Sequence, residues 1–248
     1  MRYLFFVLFI CSGILTFAQA TLSTARTRVY KSYVSNNKAE WEAGINDLKR
    51  LCADTWNCPP QTLFELALSE YGLIAYCIST KNTGGVEAQI AEAEGHLNVL
   101  VKRNPQHAAA HSLLGSLIAM RIGLSPGKAI YLGPRSSNYL DQGIKLGAND
   151  PFAWAEMGNM RYHAPALFGG SYDEAIKAFK KSVELFDAQP ALRKDNWIYL
   201  HALTWLGRSY EAKGMKTEAI AAYKKLLAFE PGFTWVRNEL LPAAEKSR

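Results

Sequence analysis

The sequence predicts an all-helical protein in which antiparallel helix pairs stack into one solenoid. Apolar residues recur with helical spacing from Thr21 onward, and no segment shows the alternation of a convincing strand. Helix start and stop signals, such as Asp150 with Pro151 and the later Gly214, divide this pattern into short pairs. Because one pair cannot bury its apolar face alone, we expect roughly five pairs to form a single cooperative domain over residues 21–248.

The first twenty residues predict a secretory signal peptide, residues 1–20. Arg2 supplies the positive charge, an apolar stretch follows, and Ala18, Gln19 and Ala20 match an A-x-A cleavage site. No later stretch is apolar for long enough to span a bilayer. We therefore expect an exported protein of the bacterial periplasm or cell envelope, with no transmembrane segment in its mature chain.

The charge balance argues against a nucleic-acid partner. The formal net charge is +6, and it falls to +5 without residues 1–20, which contain Arg2 but no Asp or Glu. This mild excess includes no run of Lys and Arg, whereas nucleic-acid-binding surfaces concentrate basic residues. We expect a protein or peptide partner and no nucleic acid.

Three cysteines follow the signal peptide, namely Cys52, Cys58 and Cys77. An oxidising compartment allows one disulfide, and Cys52 with Cys58 is the favoured pair because both lie between the end of one helix and the start of the next. The alternative is that the three thiols are buried as small apolar groups. Their spacing fits neither a redox C-x-x-C motif nor a zinc site, so we expect no metal.

The clearest repeat spans residues 197–232. Gly207 and Ala219 are small where two antiparallel helices must approach closely, and Gly214 suits the left-handed end of the first helix. Pro231 ends the second helix because it lacks an amide proton. The residues expected to pack the two helices together are Leu206, Gly207, Tyr210, Ala219, Tyr223 and Pro231.

A second and less regular repeat spans residues 150–190. Asp150 precedes Pro151 as the N-cap of its first helix, while Ser171 with Glu174 predicts a capping box at its second helix. Residues 163–170 lengthen the turn between the two helices. The expected packing residues are Trp154, Gly158, Ala175 and Phe179.

These two units resemble tetratricopeptide (TPR) repeats, specifically over residues 152–231 and only in architecture over residues 21–151. The resemblance implies a right-handed superhelical solenoid that binds proteins or peptides and needs no cofactor. One departure is Arg161, which replaces the aromatic residue of the family. The widened turn before Tyr172 is also similar to periplasmic TPR proteins, including the T-component of tripartite (TRAP-type) transporters.

Upstream of these repeats, weaker signals predict the same architecture. A segment from His111 to Ile118 has the pattern of a first helix, and residues 123–134, rich in Gly and Pro, predict a long loop after it. The other expected helices are residues 25–33, 38–53, 62–78, 86–101 and 136–146.

The resemblance also implies where a ligand binds, because the first helix of each TPR pair lines a concave groove. The groove positions fall on Ser112, Ser116, Asn159, Tyr162, His163, His201, Thr204, Arg208 and Glu211. This mixture suits an extended peptide, with Asn159 bonding its backbone and Arg208 meeting a carboxylate. The alternative is a solvated helix face on which Arg208 and Glu211 pair locally.

Two predicted loops, residues 131–139 and 163–168, are further candidates for ligand binding. They carry aromatic and basic groups, and long loops without structure of their own are often functional. In this hypothesis they fold over one end of the groove. The alternative is that they are packing inserts that cover an exposed hairpin.

No motif in the sequence predicts catalysis. His107 and His111 have the i, i+4 spacing of zinc ligands, but neither a protease Glu nor a third ligand accompanies them, so packed histidines are favoured. Residues 123–128 are one residue short of a phosphate loop, and no strand precedes them. A nucleophile elbow is also lacking. We therefore expect a chain that is not an enzyme.

The leading hypothesis for the function is a protein- or peptide-binding scaffold in the cell envelope. The alternative is a periplasmic subunit that binds a small solute for a transport system, which an enclosed apolar cavity would favour. A third possibility is a hydrolase of envelope polymers that depends on Glu156 or Glu211, for which the sequence offers no positive argument.

Overall fold

The structure, a computed structural model, describes residues 21–246, and the predicted signal peptide lies outside these residues. The described residues form eleven α-helices and no strand, which confirms the all-helical prediction. None of these helices is both long and apolar enough to cross a membrane. The helices are α1 (21–35), α2 (Lys38–Leu51), α3 (Pro60–Ser79), α4 (Val86–Arg103), α5 (Ala108–Leu124), α6 (Ala129–Leu146), α7 (Pro151–His163), α8 (Tyr172–Ala188), α9 (Trp197–Ala212), α10 (Lys216–Phe229) and α11 (Leu241–Lys246).

The first ten helices form five pairs that stack side by side. Short connections make the helices of each pair antiparallel, and the most extensive contacts lie within the pairs α5–α6, α7–α8 and α9–α10. The first helices of the last four pairs, α3, α5, α7 and α9, also contact one another in that order. One continuous apolar core reaches from Leu22 to Ala244. The predicted solenoid of paired helices is therefore confirmed.

The last repeat packs as the sequence predicts. Gly207 lies against the ring of Tyr223, so that an added Cβ would come within 2.3 Å of it. Ala219 and Tyr223 are fully buried in the same seam. Gly214 ends α9 with a φ of +72°, and Pro231 follows the end of α10 at Phe229. The close approach of α9 and α10 thus requires glycine at position 207, because any larger residue would collide with the Tyr223 ring.

The preceding repeat has the same contact between a glycine and an aromatic ring, but the N-cap of its second helix, α8, differs from the prediction. An added Cβ at Gly158 would come within 2.7 Å of the Phe179 ring. The Ser171 hydroxyl accepts the amide of Glu174 at 3.3 Å, as expected of an N-cap. The reciprocal half of the predicted capping box is absent, because the Ser171 amide donates to the carbonyl of Arg161 and the Glu174 carboxylate pairs with a lysine of its own helix.

The prediction of a long loop over residues 123–134 is wrong. Helix α5 continues to Leu124, a single 3-10 turn follows, and α6 already begins at Ala129. Pro134 therefore lies inside α6, where it removes one backbone hydrogen bond. Burial of Ala129 and Leu132 on this first part of α6 outweighs that loss. The predicted loop 131–139 is consequently helical, although Tyr131 on it is 60% exposed.

The N-terminal helix α1 contacts the last repeat across the stack. Thr27 donates a hydrogen bond to Asp195 at 2.8 Å, and the Tyr30 hydroxyl donates to Glu230 at 2.7 Å. The Tyr33 ring stacks on Phe233 with a centroid distance of 5.1 Å. The first and last pairs of the solenoid are therefore joined directly.

A disulfide joins Cys52, which caps α2, to Cys58, which precedes α3. Their Cα atoms are 4.9 Å apart. The remaining Cys77 is buried as a free thiol. The loop of residues 53–57, which the bridge closes, presents Trp56, which is 51% exposed and lies beneath the ammonium group of Lys102.

Candidate binding site on the inner face

The side chains of α3, α5, α7 and α9 converge on one surface, called here the inner face. Along α9 this surface is a stripe of three rings spaced four residues apart, Trp197, His201 and Trp205. Successive ring centroids are 5.9 Å apart. Trp197 is only 3% exposed, whereas His201 and Trp205 are partly exposed. The inner face is thus covered at the Trp197 end and open at the Trp205 end.

Aromatic residues from the N-terminal pair fill the covered end. The Trp197 ring contacts Tyr33 at 5.2 Å and Trp41 at 5.7 Å between centroids. The Trp41 indole N–H donates to the carbonyl of Ser69 at 3.0 Å. An added Cβ at Gly72 would lie 2.4 Å from the Trp41 ring and 2.9 Å from the Trp197 ring. The chain itself therefore occupies this part of the inner face.

A buried polar cluster links four helices at the middle of the inner face. One oxygen of Glu156 on α7 accepts the hydroxyl of Tyr71 on α3 at 2.8 Å and that of Ser116 on α5 at 2.6 Å. The Asn159 amide donates to the same oxygen at 3.2 Å, and its carbonyl lies 2.8 Å from Nε2 of His201 on α9. Glu156 and Asn159 are 3% and 8% exposed. The cluster fixes the spacing of the inner helices.

Burial shifts the pKa of two members of this cluster, Glu156 and His201. Desolvation raises the pKa of Glu156, although hydrogen bonds from Ser116, Tyr71 and Asn159 oppose the rise. Burial, together with repulsion from His163, lowers the pKa of His201 to about 3. At neutral pH the His201 ring is therefore uncharged, and its Nε2–H donates to the Asn159 carbonyl.

The open end carries a cluster of rings, called here the aromatic cluster, formed by Tyr162, His163, Tyr172 and Trp205. The Trp205 ring lies 4.6 Å from His163 and 4.8 Å from Tyr162, and Tyr162 lies 5.3 Å from Tyr172. His163 is exposed, and Tyr172 is 43% exposed. The rings meet in tilted and edge-on contacts. Part of their surface stays exposed, and a ligand can contact it.

Arg208 and Glu211 follow Trp205 on α9 and form an ion pair with 3.0 Å between Arg208 Nη1 and the Glu211 carboxylate. The Arg208 side chain is 39% exposed. The local pairing that the sequence left open as an alternative is thus present. Arg208 nevertheless follows Trp205 by three residues on α9, which places both side chains on neighbouring parts of one helix face.

The structure separates the predicted groove residues into three groups. Tyr162, His163, His201, Arg208 and Glu211 lie together at the open end or beside it. Ser116 and Asn159 face inward but are buried as members of the polar cluster.

The third group consists of two predicted groove positions that are wrong, Ser112 and Thr204. Both are fully buried. Ser112 faces its partner helix α6, since an added Cβ at Gly143 would collide with its hydroxyl. The Thr204 hydroxyl donates to the Leu200 carbonyl of its own helix at 2.8 Å. Offsets carried over from a regular repeat misplace both residues, because at these positions the side chains pack within the stack instead of facing the groove.

Sequence reasoning missed Trp205 and Tyr71. Trp205 could have been found from the four-residue spacing of Trp197, His201 and Trp205, which places three rings on one stripe of a helix. Tyr71 had no such signal, because its contact with Glu156 joins residues 85 positions apart.

The two histidines with zinc-like spacing are packing and capping residues. His107 caps α5 by accepting the Ala110 amide at 3.2 Å, and burial lowers its pKa. Nε2 of His111 lies 2.9 Å from the Pro105 carbonyl, and its ring stacks on Tyr139. Each ring is thus engaged in a separate local contact.

Comparisons with known proteins agree with this fold. The family model described as tetratricopeptide repeat matches residues 201–232. Among curated proteins, none matches the sequence at a significant level. The structure of TTC0263, a thermophilic TPR protein of Thermus thermophilus, is similar with a TM-score of 0.61 and 17% identity, over 90% of this chain and 98% of that one.

A second similar structure is the HusA haemophore of Porphyromonas gingivalis. It has a TM-score of 0.51 and 19% identity, over 75% of this chain and 92% of that one. At these identities the two solved structures support the fold alone. Residues 201–232, in α9–α10, thus match a tetratricopeptide repeat, and the stack of helix pairs has the fold of tetratricopeptide-repeat proteins.

Proposed function

We propose that this chain is an exported scaffold that binds an extended peptide segment of a partner protein at the open end of its inner face. The observation that supports this site most strongly is the aromatic cluster, whose rings retain exposed surface while the covered end of the inner face is filled by the chain itself. TPR proteins in general bind protein partners, and the first helices of the pairs supply the surface.

The chemistry of the open end favours a peptide with an aromatic or aliphatic anchor. Trp205 and Tyr162 offer large, rigid apolar surfaces that lose little conformational entropy on binding. His163 and the exposed part of Arg208 supply polar groups at the edge of that surface. A backbone carbonyl or a carboxylate of the peptide suits these donors. The polar cluster behind the rings holds α7 and α9 in place, which limits the cost of ordering the site.

Export is supported by the sequence of residues 1–20, whose charged start, apolar stretch and A-x-A site are those of a signal peptide. The Cys52–Cys58 disulfide fits an oxidising compartment. A hydrolase gains no support, since Glu156 is buried and Glu211 is paired with Arg208. A binding role therefore accounts for more of the inner face than catalysis does.

The test is selection of peptides from a random display library on the mature chain, followed by affinity measurement on variants. We expect the selected peptides to share an aromatic or aliphatic residue. Trp205→Ala should weaken their binding by roughly thirtyfold, the loss of one interfacial hot spot. Trp56→Ala is the matched control, since Trp56 is also exposed but lies in the disulfide loop.

Equal affinity for wild type and Trp205→Ala would remove the proposed site. Each variant is first checked by circular dichroism and thermal unfolding, so that loss of binding is not confused with loss of fold. His163→Ala serves as a second variant, because its ring is exposed and its removal should leave the core intact.

A second candidate function, solute binding for a transport system, has one observation in its favour. The exposed His163 ring lies against the rings of Tyr162 and Trp205, an arrangement that suits a planar solute stacked on the aromatic cluster and contacted by an imidazole nitrogen. One structural neighbour is a haemophore, which makes haemin a suitable planar probe. Haemin titration followed by absorbance distinguishes the candidates. Saturable binding that His163→Ala abolishes, with no peptide selected, would favour the solute.

A further inference from the structure

Three side chains capable of binding a metal converge between α3 and α4, far along the chain from the aromatic cluster. They are Glu70 on α3 and, one helical turn apart on α4, Glu92 and His96. One ligand atom from each lies within 4.8 Å of the other two. Nδ1 of His96 is 2.8 Å from the Glu70 carboxylate. The four-residue spacing places Glu92 and His96 on the same face of α4, opposite Glu70.

One carboxylate oxygen of Glu70, Oε1, has no close hydrogen-bond partner. The residue is only 6% exposed, yet its Oε1 is buried without a hydrogen-bond partner. The ammonium group of Lys49 on α2 pairs with this oxygen at 3.4 Å and more closely with Glu92 at 2.7 Å. A buried carboxylate oxygen held only by a long ion pair is incompletely compensated, so this position favours a closer positive charge.

We propose that Glu70, Glu92 and His96 form a zinc-binding site in which the Lys49 ammonium takes the place of the ion when no metal is bound. Zinc binds both imidazole nitrogen and carboxylate oxygen, and a site with three protein ligands leaves its fourth position to water. Hard ions such as magnesium prefer oxygen ligands throughout and fit this set less well. The proposal is independent of peptide or solute binding at the inner face.

The charges at the site fit a divalent ion. Glu70 and Glu92 carry two negative charges when ionised, and Lys49 balances one of them, whereas Zn²⁺ balances both. Tetrahedral bonds of about 2.1 Å place ligand atoms roughly 3.4 Å apart. The Glu70–His96 pair at 2.8 Å must therefore open, and ligand atoms that now lie up to 4.8 Å apart must close in. The exposed Glu92 and the partly exposed end of Lys49 can make this adjustment without repacking the core.

The arrangement also suggests what the ion does. Glu70 is a buried residue of α3, and the other two ligands belong to the adjacent α4. An ion that bonds all three would fasten α4 to α3 and stabilise the N-terminal half of the solenoid, because it binds the folded chain and not the unfolded one.

The experiment is titration of the purified mature chain with Zn²⁺ by calorimetry, and with Co²⁺ by visible absorption, which reports tetrahedral ligation. We expect one ion per chain. Glu92→Gln and His96→Ala should each weaken binding by at least about 100-fold, since removing a ligand costs no less than removing a residue that supports one. Glu94→Gln is the matched control, because this neighbouring carboxylate pairs with Arg121 instead.

Lys49→Met is expected to strengthen zinc binding, the opposite of the effect of removing a ligand, so it tests the proposal most directly. It removes the competing ammonium while keeping an apolar stem, so we expect zinc to bind at least about tenfold more tightly, the effect of removing one competing charge. Zinc should also raise the melting temperature of wild type and Lys49→Met but not of His96→Ala. Binding that is unaffected by His96→Ala and Glu92→Gln, or weakened by Lys49→Met, would overturn the proposal.

Discussion

The two ends of the inner face use the same kinds of residue for different purposes. At the covered end, Trp197 lies among Tyr33, Trp41 and Tyr71 and is 3% exposed. At the open end, Trp205 lies among rings of similar kind but keeps exposed surface. What differs is whether the N-terminal pair reaches that position. Aromatic residues on a repeat protein therefore indicate a binding surface only where no other part of the chain covers them.

This comparison is tested most strongly by truncating the two tryptophans of α9. We expect Trp197→Ala to lower the free energy of unfolding by about 3–5 kcal/mol, because it empties a buried position. Trp205→Ala should cost only about 1–2 kcal/mol, since part of its surface is already in water. Urea denaturation of both variants measures the difference. Equal losses would show that the two ends are packed alike.

The closeness of packing at the covered end is tested by Gly72→Ala. The new methyl group would lie 2.4 Å from the Trp41 ring, so the tryptophans must move, and we expect a loss of about 1–3 kcal/mol. Gly95→Ala is the control, because Gly95 is also helical but has open space around its Cα. That control should gain up to about 1 kcal/mol from helix propensity. A Gly72→Ala variant as stable as Gly95→Ala would contradict the tight contact.

The boundary between the two ends lies at His201, and it is tested by measuring how the stability of the fold changes with pH. Its pKa of about 3 in the folded chain is below the value of about 6.5 in the unfolded chain, so the unfolded chain binds a proton more readily. Stability should therefore be constant above pH ~6.5 and fall as the pH decreases toward ~3. Because His201 is partly exposed, we expect a loss of about 1–2 kcal/mol at pH ~5 relative to pH ~8.

His201→Gln keeps an amide donor for Asn159 but does not titrate. Chemical denaturation of wild type and this variant at a series of pH values isolates the contribution of His201 from that of other acidic groups. We expect the difference in unfolding free energy between them to change between pH ~6.5 and ~5 and to stay nearly constant between pH ~7 and ~8. A constant difference across the acidic range would mean that His201 accepts a proton in the folded chain as easily as in water.

The smallest expected effect concerns the closure of the stack. Tyr30→Phe removes the hydroxyl that donates to Glu230 at 2.7 Å and keeps the ring, so we expect a loss of about 0.5–1.5 kcal/mol. Hydrogen exchange should show the change at α1 and at the end of α10 together. Faster exchange at α1 alone would indicate that the two ends of the chain are not coupled.

The parts predicted well from the sequence are those set by residues close along the chain. Gly207 packs against Tyr223, and Gly158 packs against Phe179 at the same place in the preceding repeat. Each contact joins the two helices of one repeat, so the sequence of that repeat alone predicts it. The errors arise where burial opposes a local signal. Pro134 and the nearby glycines indicated a loop, but buried Ala129 and Leu132 hold α6 together there.

The candidate site was predicted only in part for the same reason. Tyr162, His163 and Arg208 were found because they occupy regular groove offsets. Thr204 occupies such an offset as well, yet it is buried. The proposed zinc ligands escaped notice because Glu70 comes from a different helix than Glu92 and His96.

The sequence by itself determined the helices, their pairing, and the seam of small and aromatic residues in each clear repeat, because these depend on contacts within about forty residues of the chain. Only the tertiary structure decided which part of the inner face is open. That outcome depends on contacts such as Thr27 with Asp195 and Tyr30 with Glu230, which lie 168 and 200 residues apart. No local spacing encodes them, since they form only once the whole stack has brought its two ends together.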